Sequence, residues 1–155
     1  MQDGDSRQTV GRELPAVEAL EQFEQATRGF INGDPHLWKQ HASRRDDVTL
    51  MGGWGICEKG WAGVGARYDW AAARFRDSGA ALTVEYLASG VSGDLAYTVG
   101  IERSVVRLAD QAADAPMVLR VTHVFRRDAG VWRLVHRHAD PLVNTTAPAA
   151  VLQQK

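Results

Sequence analysis

Three sets of residues in this chain are of types that could carry chemistry. The first lies in the run Gly130–Asp140, which alternates with period two. Trp132, Leu134, His136, His138 and Asp140 point one way; Val131, Arg133, Val135, Arg137 and Ala139 point the other. His136 and His138 project together, about 7 Å apart. With His123 in the preceding strand and Asp140 on the histidine face, they could form a zinc or iron site. The plainer alternative is core or interface histidines bonded to their neighbours. The second set is cationic. Arg103 shares a face with Tyr97, Val99, Ile101 and Val105, while Thr98, Gly100, Glu102 and Ser104 take the other. On the more apolar face an arginine must snorkel, find a carboxylate such as Glu85, or await a ligand. If Arg67, Arg103 and Arg137 converge, a small carboxylate is their natural partner, because guanidinium binds it bidentately. The third set is aromatic: Trp38, Trp54, Trp61, Tyr68, Trp70 and Phe75 suit either core or a cavity mouth. Trp54, between Gly53 and Gly55, is the rim candidate. His41 and Glu85 are the residues available as a catalytic base.

The elements that must position these groups follow from periodicity. Apolar spacing from Leu14 to Ile31 predicts a helix stopped by Asn32-Gly33. Asp34-Pro35 opens a short second helix to about His41. Val48–Met51 reads as a short strand, 54–61 as a glycine-rich loop, and about Ala62 to Arg76 as a third helix. Four strands follow: Leu82–Val91, Leu95–Leu108, Met117–Arg127 and Gly130–Asp140. Ser92-Gly93-Asp94 is a hairpin signal between the first two. Residues 1–13 read as a loose lead-in, 143–155 as a loose tail, and 14–142 as one domain. Helices gathered on one side of a curled antiparallel sheet satisfy this order, an α+β arrangement that leaves a cone-shaped cavity.

Composition narrows the function. A net charge of −1 over 155 residues gives no broad electrostatic case for nucleic acid or membrane. The single Cys57 cannot form an internal disulfide. No apolar run approaches a membrane span, so a cytoplasmic protein is expected. The glycines at 60, 63 and 65 make no phosphate loop, and no cofactor is expected.

With order and motifs in place, the chain resembles the SnoaL-like branch of the nuclear transport factor 2-like superfamily. The resemblance is carried by Asp46-Asp47-Val48-Thr49, Glu58-Lys59-Gly60-Trp61, Gly93-Asp94-Leu95-Ala96-Tyr97 and Gly130–His138. The closing run is also similar to the association domain of calcium/calmodulin-dependent kinase II. The resemblance implies a cone-like α+β fold of three helices in a strongly curved, mainly antiparallel sheet, and a homodimer through the outer sheet face. The family includes ketosteroid isomerases, polyketide cyclases, dehydratases and binding domains. Where the isomerases carry their base, this chain matches Gly52, which cannot move a proton. Their oxyanion acid falls on Thr122, and Phe23 or Phe30 stands in place of a tyrosine. On the kinase domain's pattern, cavity arginines fall on Arg103, Thr122 and Ala139, a histidine on Arg67 and a tryptophan on Phe75.

The expectation is therefore a protein binding a small organic molecule, an acid in one version. Trp54, Arg67, Tyr68, Phe75, Tyr97, Arg103, Thr122 and Arg137 would line the site, with Arg103 as anchor. An isomerase, cyclase or dehydratase using His41 or Glu85 is the alternative, and a metal-dependent enzyme using His123, His136 and His138 is the third reading.

Overall fold

A computed structural model describes residues 17–153. The lead-in 1–13 lies outside the described residues. The first helix, α1, spans Val17–Ile31 and buries Phe23, Ala26, Thr27 and Ile31, a stripe at helical spacing. Gly33 ends it at a φ of 94°, where a side chain would be strained and a Cβ would lie 3.0 Å from the Phe75 carbonyl oxygen. Asn32 ties this end down: its amide donates to the Arg28 and Ala80 carbonyls and its oxygen accepts from the Ser78 and Ala80 N–H groups. A second helix, α2, is His36–His41 and buries Trp38. The third, α3, is Trp61–Ala72, with Val64, Tyr68 and Ala71 facing inward.

The strands are β1 (Thr49–Met51), β2 (Cys57–Lys59), β3 (Phe75–Arg76), β4 (Leu82–Ser92), β5 (Leu95–Leu108), β6 (Ala115–Asp128) and β7 (Val131–Asp140). They form one curled sheet in the order β2-β1-β7-β6-β5-β3, with β4 also paired to β5. All pairings are antiparallel except β1 with β7, so the sheet is mixed. The β4–β5 hairpin turns at Gly93-Asp94, where the sequence places it. Two short strands depart from expectation: β2 forms inside the predicted glycine-rich loop, and the third helix stops four residues early, releasing Phe75 and Arg76 to pair with Leu108 and Arg107.

The helices pack into the concave face. One cluster joins Phe23, Trp38, Val64, Tyr68, Phe125 and Leu134; another joins Ile31, Phe75, Leu82 and Val106. A bulge between Val124 and Phe125 of β6 and the facing part of β7 resets the alternation of β7. Leu134 is fully buried before it, and Arg137 and Ala139 face inward after it. That is why both alternating sets of this strand mix apolar and ionisable residues. No helix among the described residues is long and apolar enough to cross a membrane.

Candidate functional site

Between the helices and the inner sheet face lies a space of about 360 Å³. Its walls come from α1 (Phe30, Ile31), α3 (Ala71), β3 (Phe75) and the inner residues of β5 and β6 (Val106, Met117, Leu119). Trp54 stands half-exposed at its edge, held by edge contact with Trp70 and a tilted contact with Phe75. Nearly all of this lining is apolar.

Thr27 and Gln111 add polar atoms, and one charged pair, Arg137 with Glu102, lies among the buried lining residues. Arg137 of β7 reaches over β6 to Glu102 of β5, which the curl of the sheet brings opposite it. Nη1 donates to Oε1 at 2.9 Å and Nη2 to Oε2 at 3.0 Å, with side-chain exposures of 11% and 6%. Burial alone would lower the arginine's pKa, but the attraction of Glu102 and the hydrogen bonds to it raise it, so the guanidinium keeps its charge. Nη1 also lies 2.8 Å from His123 Nε2. A guanidinium can only donate, so Nε2 accepts and the imidazole proton sits on Nδ1. Burial and the adjacent Arg137 charge hold the His123 pKa well below the usual histidine value, which keeps the ring neutral.

Above the pair sit Trp38 and Tyr68. The Arg137 guanidinium lies 5.2 Å from the Trp38 ring centre, a cation–π contact. Burial pushes the Tyr68 phenol up to about 12. Its hydroxyl lies beside Trp38, and both it and the indole nitrogen are closed off, with no well-aligned hydrogen-bond partner among the described residues.

Of the residues singled out by sequence, Trp38, Trp54, Tyr68, Phe75 and Arg137 border this space. Arg103 does not. It sits on the convex face, half-exposed, and donates to Glu85 at 2.7 Å, the plainer of its alternatives. The apolar row that suggested an inward face, Tyr97, Val99, Ile101 and Val105, is the outer face of β5; the small residues Thr98, Gly100 and Ser104 face the helices with Glu102. Small side chains make room for packed helices there, so apolarity points the wrong way. Tyr97 lies outward across Gly90, where a Cβ would come within 2.7 Å of its ring. Thr122 pairs with His138 and Val99 in the outward register. Arg67 is taken by Glu58, at 2.9 Å, and stacks over Trp70.

The candidate bases lie elsewhere too. Glu85 is engaged by Arg103 outside, and His41 packs beside Phe23 in a separate depression with Phe125 and Trp132. The three-histidine arrangement is split by the sheet. His123 is buried inside, whereas His136 and His138 point outward, His136 bonding Thr49 Oγ1 at 2.7 Å. Among the described residues no group of three or more His, Cys, Asp or Glu gathers to hold a metal. Glu102 is the site residue that sequence reasoning missed. Its signal was the unusual company it keeps, one carboxylate in a row of small residues on a long strand.

Helices seated in a curled mixed sheet define the nuclear transport factor 2-like α+β cone. The model of the SnoaL-like domain family matches residues 20–143, and the chain belongs to that family. Among solved structures it is similar to a nuclear transport factor 2-like superfamily protein from Salmonella enterica (TM-score 0.72, 19% identity, covering 92% of this chain and 98% of that one). It is also similar to a protein from Thiobacillus denitrificans provisionally described as a calcium/calmodulin-dependent protein kinase type II association domain (0.60, 25%, 83% and 97%). A third, from Streptomyces avermitilis, is provisionally described as a dehydratase of this superfamily (0.66, 18%, 89% and 99%). No functionally curated protein matches the sequence.

Proposed function

We propose that this protein binds a small, predominantly apolar organic molecule in the space between helices and sheet. The observation that carries this reading is the volume itself: about 360 Å³ with a mostly apolar lining and one charged pair among its buried residues. Such a space falls in the range of small-molecule sites, and a few polar groups in an apolar sleeve are how such sites orient a guest. The arginine that serves it is Arg137, in place of Arg103. No reaction is assigned, since His41 and Glu85 both stand away from the space.

Ala71, buried on α3, lines the space. Ala71→Phe should fill it and abolish heat-stabilisation of the protein by small aromatic compounds while leaving the unliganded fold intact. Equal stabilisation of both forms would contradict the reading.

The convex face supports a second proposal, pairing of two copies through the sheet. Tyr97, Val105 and Leu87 are exposed there beside half-buried Val99, Ile101 and Val124. An apolar row of this kind on a sheet is characteristic of a covered surface. Ile101→Glu should halve the mass measured by light scattering, and an unchanged mass would remove this face from any interface.

A further inference from the structure

Building on the reading that this space holds a small molecule, we propose that the guest is an uncharged carbonyl compound whose oxygen is held by Arg137, and that Glu102 keeps free carboxylates out. Arg137 has five N–H groups in a planar fork. Glu102 takes the Nη1–Nη2 end with one bond from each nitrogen, and His123 takes the second N–H of Nη1. The two that remain without a partner among the described residues, on Nε and Nη2, are neighbours along the side edge of the plane. Arg137 borders the space with part of its side chain still accessible. A carbonyl oxygen entering from the apolar side would find two parallel donors.

The charge balance selects the guest. Glu102 and Arg137 are the only charged side chains among the described lining residues, and together they cancel. His123, pressed against them, is neutral. A carboxylate would therefore carry an uncompensated charge into an apolar enclosure, or would have to displace Glu102 and leave that group unpaired instead. A ketone, ester or amide brings no charge, keeps the pair intact and meets donors that no side chain among the described residues takes. An arginine alone would choose acids; this one is already spoken for.

The test is a matched pair of probes, 2-acetylnaphthalene and 2-naphthoate, titrated calorimetrically at neutral pH into wild type, Glu102→Gln and Ala71→Phe. Wild type should bind the ketone at least roughly tenfold more tightly than the acid. Glu102→Gln keeps a hydrogen-bond acceptor but frees the arginine's charge, and should improve naphthoate binding by roughly tenfold or more. The infrared carbonyl stretch of the ketone bound to wild type should fall below its value in an alkane, a readout that stands even where the Gln variant does not fold. A wild-type preference for naphthoate, an unshifted stretch, or a ratio unchanged by Glu102→Gln would overturn the inference. Equal binding of both probes, abolished by Ala71→Phe, would sink the selectivity and spare the cavity. Binding of neither probe to wild type would overturn both.

Discussion

Two arginine–glutamate pairs sit on adjacent residues of the same strand, and they do opposite things. Glu102 holds Arg137 inside, at 2.9 and 3.0 Å; Arg103 holds Glu85 outside, at 2.7 Å. The contacts are alike in length and chemistry. What differs is water: the inner side chains are about one-tenth exposed or less, the outer ones about half. Inside, neither charge can be left alone, because desolvation of an unpaired ion is costly. Outside, solvent screens each partner and stands in for the other when one is lost. Distance therefore says little about what a salt bridge does, and enclosure says most of it.

The two pairs should differ most when one member of each is removed. Glu102→Ala strands a buried guanidinium and should cost about 3–5 kcal/mol in chemical unfolding. Replacing both members, as Glu102→Leu with Arg137→Met, should recover most of that loss. A cost for Glu102→Ala as small as that of an exposed pair would show that water reaches the inner pair.

A smaller effect comes from acid. Because the His123 pKa is lowered in the fold by burial and by Arg137, the unfolded chain takes up the proton first as pH falls below about 6.5. Stability is thus fully present above that value and declines as pH drops toward the folded pKa. His41 and His136, both lowered chiefly by burial, add to the decline with the same sign. The lowered Asp47 and Asp140 act only in stronger acid, below the ordinary carboxylate range. His123→Gln should flatten the fall in melting temperature between neutral and mildly acidic pH. An unaltered slope would mean that the ring is not held neutral by its surroundings.

The smallest effect belongs to the outer pair. Arg103→Ala should change unfolding free energy by less than about 1 kcal/mol and leave the ketone affinity of the protein unaltered. Any loss of binding there would put the site on the wrong side of the sheet.

Most of the architecture was legible before coordinates. Four long alternating runs, a Gly93-Asp94 turn and helical stripes ending at Asn32-Gly33 are local signals, and local signals fix elements. The family followed from motifs spread along the whole domain. Less readable were β2 and β3, three and two residues long, which exist because a neighbouring strand is there to pair with them. The placement of the candidate site's residues was half legible. Trp38, Trp54, Tyr68, Phe75 and Arg137 do border the space, but the bulge opposite Val124 and Phe125 shifts the register of β7 without any glycine to announce it. The inside and outside of β5 were exchanged for a different reason. Its outer face is the more apolar of the two, and hydrophobicity alone cannot tell a surface facing a core from one suited to a partner.

Arg137, and not Arg103, is the arginine proposed to meet a guest. The most direct test is to follow the guanidinium Nε–H resonances of the two residues by nuclear magnetic resonance, assigned by their loss in Arg137→Lys and Arg103→Lys, while 2-acetylnaphthalene is added. The Arg137 signal should move to saturation with the Arg103 signal fixed; movement at Arg103 with Arg137 unchanged would contradict the account.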